Sequence, residues 1–187
     1  SLKTWISSGG RMMSAIVLSN LGVAELASGD AQQALAYLRQ ATTALEDAGA
    51  HGQLAETRRY LAQAYLVAGD LAVAREEAQS ALALARVAEA PLDEAGAQRV
   101  LGQVALAAGN LSEAITLLET SCNLLADQGN RYELAQSFTA LAEALLAQDQ
   151  SLLARTLVVD AVEIFSELDA SRELAHAIQL LHALNKE

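Results

Sequence analysis

The chain has 187 residues, with 23 acidic against 12 basic side chains and a formal net charge of -11. That field repels nucleic acid, whose phosphates need clustered Lys and Arg, and it disfavours anionic membrane surfaces. A single cysteine, Cys122, excludes an internal disulfide and fits a reducing cytoplasm, and no uncharged apolar run approaches the ~20 residues of a membrane span, so the chain reads as soluble and cytoplasmic.

In chain order, residues 1–10 (SLKTWISSGG) lack the apolar core of a signal peptide. Laid against the repeat set out below, Trp5 falls in the slot of Leu45 and Gly9 in that of Gly49. This segment therefore reads as the end of a preceding second helix or as an unstructured lead. A helix is expected from about Met12 to Ser28, because Ala15, Leu18, Leu21, Gly22 and Leu26 recur at three- and four-residue spacing. Gly29 suits the left-handed residue that closes it, and Asp30 the N-cap of the next. A second helix, about Ala31 to Ala48, turns Ala34, Leu38, Ala41 and Leu45 inward. Asp30 with Gln33, and Asn110 with Glu113, have the spacing of capping boxes.

The same text then returns at a fixed interval. Decads beginning at Leu21, Leu61, Leu101 and Leu141 read LGVAELASGD, LAQAYLVAGD, LGQVALAAGN and LAEALLAQDQ. Gly22, Ala62, Gly102 and Ala142 share one slot, as do Ala34, Ala74, Ala114 and Ala154. The period runs without insertion, which marks a helical repeat array with one continuous core. Pro91 sits at a helix start, where its missing N–H costs nothing. Asp149-Gln150 lacks the turn glycine of the other copies, so a looser or less regular turn is expected there. Residues 171–187 repeat a first helix and either cap the array or precede more of it. The chain is thus expected to form a single unit: residues 1–10, repeats 12–50, 51–90, 91–130 and 131–170, and a terminal helix 171–187.

Leucine followed by Gly or Ala, a Gly-Asp turn, and alanines at fixed offsets in the second helix resemble the tetratricopeptide repeat (TPR). The resemblance covers about residues 15 to 168 and implies an all-α, right-handed superhelical solenoid of antiparallel helix pairs, with four full repeats and partial repeats at both ends. The period of 40 exceeds the ~34 of the common TPR. The large aromatic expected early in the first helix is replaced by Leu18, Arg58 and Gln98 and kept only as Phe138. Longer, alanine-rich copies resemble the arrays of MalT-like activators and signal-transduction ATPases. The carboxylate clamp of chaperone-binding TPRs is not matched, its nearest slots holding Ser19, Val23, Tyr60, Gly96 and Val100.

No catalytic constellation emerges, and no cofactor or metal site is expected. His51, His176 and His182 are too scattered to share a face, Cys122 falls in a helix slot shared with Leu82 and Val162, and Glu76-Glu77, Glu163 and Glu167 read as solvated faces. The first helices are the better candidate, since the TPR resemblance implies that they line the concave face. Columns taken one period apart hold Ser19, Arg59, Arg99 and Thr139, then Val23, Gln63, Gln103 and Glu143, flanked by Asn20, Tyr60, Val100 and Ala140. Guanidinium groups favour carboxylate or phosphate partners. Arg59, Tyr60, Gln63, Arg99 and Gln103 are therefore the expected ligand-binding groove, for an acidic peptide segment or an anionic small ligand. The function expected is a non-catalytic protein-interaction or effector-sensing module of a larger regulatory protein. The alternative is a standalone adaptor or scaffold that self-associates through its array ends.

Overall fold

Apolar residues at helical spacing, interrupted at regular intervals by turn chemistry, leave the chain little choice but short paired helices. The computed structural model describes residues 2–185, and side chains from residue 10 to 185. Among these residues there are nine helices: α1 (Leu2–Ser28), α2 (Ala31–Ala48), α3 (His51–Ala68), α4 (Leu71–Val87), α5 (Pro91–Ala107), α6 (Leu111–Ala126), α7 (Arg131–Leu146), α8 (Ser151–Glu167) and α9 (Ser171–Leu184). The chain divides into two compact units, residues up to Val100 and residues from Leu101 onward, with the division inside α5. Within each unit consecutive helices pack antiparallel, as the TPR-like expectation required.

In the first unit α1 packs on α2, α2 on α3, and α3 on α4. The slot after the leading leucine has a direct physical meaning here. A Cβ on Gly22 would lie 2.5 Å from Leu38 Cγ, so the missing side chain is the seat of the facing leucine. In the second unit the same geometry recurs between Gly102 and Leu118, again at 2.5 Å. The corresponding slots of the other repeats pair Ala62 with Ala78 and Ala142 with Val158, so a smaller residue faces each alanine. The second unit's core runs through Leu118, Leu141, Leu145, Val158, Ile164 and Phe165.

Local chemistry sets the helix ends. Gly49 (φ 65°) and Gly69 (φ 84°) close α2 and α3 in the left-handed region, while Asp30 and Asp70 accept from the Gln33 and Val73 amides at 2.9 and 3.3 Å. Two expectations are modified. The Asp149 turn keeps the closing contact of the glycine turns, with Asp149 at φ 60° and the Gln150 amide reaching Leu145 O at 2.9 Å as Asp30 reaches Glu25 O at 2.9 Å, but it is less regular, since α7 already stops at Leu146 and Gln150 supplies no side-chain cap. Short Asp side chains tolerate this conformation better than most residues. Asn110 does not cap the Glu113 amide; its Nδ2 instead approaches Glu113 Oε2 at 3.5 Å, and the working Asn cap is Asn130 on the Glu133 amide at 3.2 Å.

α1 also departs from expectation, for it runs unbroken through Gly9-Gly10 rather than starting near Met12. The slot assigned to Trp5 lies outside the described side chains. No helix among the described residues is long and apolar enough to cross a membrane.

Candidate functional site

The repeat carries Arg59, Tyr60 and Gln63 on α3 and Arg99 on α5 into the first unit; Gln103, one turn beyond Arg99, falls in the second. The arginines are not groove-lining in the simple sense, since Arg59 is only 5% exposed and Arg99 only 3%. Tyr60, Gln63 and Gln103 are half-buried.

The structure explains how Arg59 is accommodated. Its guanidinium stacks over the Tyr60 ring at 4.2 Å, an arrangement favoured by the ring's negative face. Its stem crosses α5 where that helix has no side chain: a Cβ on Gly96 would lie 2.5 Å from Arg59 Cδ and 2.8 Å from Nε. Gly96 and Arg99 are three residues apart and share a face of α5, so the repeat sets Arg59 one turn from Arg99. Glu56, the nearby acid, holds Arg59 only at 4.0 Å and is itself exposed.

The polar character of this face extends beyond the arginines. Of nine buried polar or charged residues among those described, seven lie on the odd-numbered helices: Ser19, Thr57, Arg59, Gln98, Arg99, Ser137 and Thr139. Some satisfy one another, as Ser19 does with Thr57 at 3.1 Å, and Ser137 with Ser121 of α6 at 2.9 Å. Thr139 donates to Ala135 O at 2.9 Å. The Oε1 atoms of Gln98 and Gln103 are buried without a hydrogen-bond partner.

Two features escape the sequence reading. Arg58, notable there only as an aromatic replaced, pairs with Glu46 of α2 and Glu77 of α4, so Glu77 is part of a half-buried ion pair and not a solvated face. Its signal is a cation in a slot that faces neighbouring second helices. Glu143, in the column of Gln63 and Gln103, meets His176 of α9 at 3.2 Å. Burial pushes the Glu143 carboxyl above its ordinary pKa, and the charge of His176 works against that shift. His176 reads as a lone surface residue in the sequence because its partner lies on a different helix, far earlier in the chain. Among the described residues, no three His, Cys, Asp or Glu side chains gather as metal ligands. Cys122 is buried.

Comparison with known proteins agrees with this architecture. A tetratricopeptide repeat model matches residues 13–86. TPR-like repeats of a kinesin light chain from Podosopora anserina share 22% identity over 91% of this chain and 90% of theirs, with a TM-score of 0.63. A Rap protein complexed with competence and sporulation factor superposes with a TM-score of 0.83 at 15% identity, over 91% of this chain and 48% of that one. A signal-transduction ATPase with numerous domains and a tetratricopeptide repeat sensor, from Pyrococcus horikoshii, gives 0.68 at 16% identity, over 91% of this chain and 27% of that one. No curated protein matches. The fold is TPR-like, and this chain spans about half of the Rap protein and about a quarter of the ATPase.

Proposed function

We propose that this chain is a non-catalytic recognition module, which takes a protein or peptide partner on its odd-numbered helices and serves a larger regulatory protein. The observation that carries the reading is the concentration of buried polar groups on those helices, against second helices whose buried faces are apolar except for Thr42 and Ser121. Burying polar side chains costs free energy that a purely structural seam avoids. Tyr60 and Gln63 supply the accessible contacts, while Arg59 and Arg99 set a positive potential beneath an otherwise acidic surface. An acidic peptide segment is the partner this chemistry fits. The similarity to the sensor of a multidomain ATPase supports a regulatory setting and the MalT-like kinship that the sequence resembles.

An array of acidic decapeptides, read by fluorescence anisotropy against the purified chain, tests this. Binders should lose affinity by about tenfold or more in Tyr60→Ala and Gln63→Ala. Arg99→Gln should weaken them and flatten the salt dependence. Equal binding by all three variants, each with an unchanged circular dichroism spectrum, would refute the reading.

A further inference from the structure

The second helices repeat their outward faces as well as their inward ones, and α8 departs from that outward pattern. Leu152 is 79%, Leu153 56% and Val159 45% exposed. In the earlier repeats the slot of Leu152 holds Gln32, Ala72 and Ser112, and that of Val159 holds Arg39, Gln79 and Glu119. All six of these residues are exposed. First helices pack on both sides of α8, namely α7 and α9, as α1 and α3 do on α2. The slots stay open on α6 as well, which α7, α8 and α9 follow. Exposure therefore belongs to the slot wherever the helix stands in the array. What is particular to α8 is that apolar side chains fill it. Leu153 adds to the contrast, since its slot holds the exposed Gln33 and Glu113 and only once an apolar residue, the half-buried Val73.

We propose that this face of α8 docks a basic amphipathic helix of a partner protein, whose apolar stripe covers Leu152, Leu153 and Val159. Leu152, Thr156 and Val159 are spaced by four and three, so they share one helical face about 10 Å long. Thr156 donates its hydroxyl to Leu152 O at 3.3 Å, which leaves its methyl group to the apolar strip. The surround is acidic. α6, the other second helix packed on α7, carries Glu113 and Glu119 in the slots of Leu153 and Val159, and no base. α8 adds Asp160 and Glu163, the latter one turn beyond Val159, against Arg155 as its one base. Its remaining acid, Glu167, is paired with Arg131. Between the start of α6 and the turn before α8 lies a cavity of about 590 Å³, lined in part by Ser112, Glu113 and Gln148. A long basic side chain entering beside the first turn of α8 finds there both room and a carboxylate.

That surround selects the occupant. Single exposed apolar residues are ordinary, but three gathered in slots that are mostly polar elsewhere in the array mark an interaction face. A second copy would bring its own charge of -11 to an acidic face, and anionic lipid would be repelled in the same way. A helix with apolar residues at three- and four-residue spacing and Lys or Arg on its flanks satisfies both the strip and the acids. The strip is short, so the complex is a transient one. This inference is independent of the recognition proposed above, which uses the odd-numbered helices.

A fluorescein-labelled Leu/Lys peptide of about 18 residues, its leucines at three- and four-residue spacing, tests this by anisotropy against the full chain. The wild type should bind it in the micromolar range, about tenfold or more tighter than a scrambled peptide of the same composition. The decisive variant gives α8 the outward face of α6: Leu152→Ser, Leu153→Glu and Val159→Glu together. All three positions are exposed, so its melting temperature should hold. The variant is also more acidic, so charge attraction alone would tighten the peptide, whereas loss of the apolar strip should weaken it about tenfold or more. Tyr60→Ala should leave this binding unchanged. No binding by the wild type at about 1 mM, or binding by the triple variant as tight as the wild type's, overturns the proposal. A loss in Tyr60→Ala as large as in the triple variant overturns it too, by placing the peptide on the odd-numbered helices. So does a wild-type dimer in sedimentation velocity that the triple variant abolishes, which makes a second copy the cover.

Discussion

Gly102→Ala offers a sharp test of the packing logic, because the repeat supplies its own rescue. An alanine in a helix interior is worth about 1 kcal/mol over glycine through backbone entropy alone. Here the added Cβ would stand 2.5 Å from Leu118 Cγ and 2.9 Å from Cδ2, with Ala114 O at 3.2 Å on its other side. Leu118 is fully buried, so it cannot swing clear. Overpacking of this kind costs about 1–3 kcal/mol, which matches or outweighs the propensity gain and leaves a net loss of up to about 2 kcal/mol. Leu118→Ala alone creates a cavity and costs about 2–5 kcal/mol. In that background the clash is gone, and Gly102→Ala should become stabilising by about 1 kcal/mol. The second repeat already carries this solution as Ala62 and Ala78. Urea unfolding followed by far-UV circular dichroism on the four members of the cycle measures the coupling, expected at about 1–3 kcal/mol. If Gly102→Ala has the same sign in both backgrounds, glycine is not there to seat Leu118 and the argument fails.

That seat also shows why so much of the fold is legible in the sequence. A helix pair of fixed length must place a small residue wherever the partner's leucine enters, so packing writes itself into the sequence at a fixed period. The leading leucines, the Gly-Asp turns and the inward alanines are all such local consequences, and α2 begins and ends where the pattern puts it. The misreadings arise where the answer depends on more than one position. Asp149 resembles a defect only while the missing glycine is weighed without the tolerance of aspartate for a left-handed backbone. For the candidate site, the columns put Arg59 and Arg99 on first helices, but a column says nothing of depth. Arg59 lying across Gly96 and over Tyr60, and Arg58 drawn between two glutamates, emerge only in three dimensions, since both depend on where neighbouring helices come to rest.

Three further outcomes follow from particular contacts. Asp149→Gly should stabilise the chain by about 1 kcal/mol in urea unfolding, since it relieves a left-handed backbone at φ 60°, whereas Gly69→Ala, at φ 84°, should destabilise it by a similar amount. Arg58→Ala should cost about 1–3 kcal/mol, because it strands Glu77 in a half-buried setting, and Arg58→Ala with Glu77→Gln should recover part of that loss in the same assay. The last concerns pH. Burial raises the Glu143 carboxyl above its ordinary pKa, so folding favours its protonated form; the contribution is fully present below the unfolded pKa and is lost as pH rises through the folded one. Glu143→Gln keeps the shape and removes the titration, so its thermal midpoint should exceed that of the wild type at neutral pH and converge with it in acid. The His176 charge limits the difference, and His176→Ala should therefore widen it, by taking away a contact that favours the ionised carboxylate. Parallel midpoints for wild type and Glu143→Gln from acid to neutral pH would mean that Glu143 is solvated well enough in the folded chain to ionise as it does in the unfolded one.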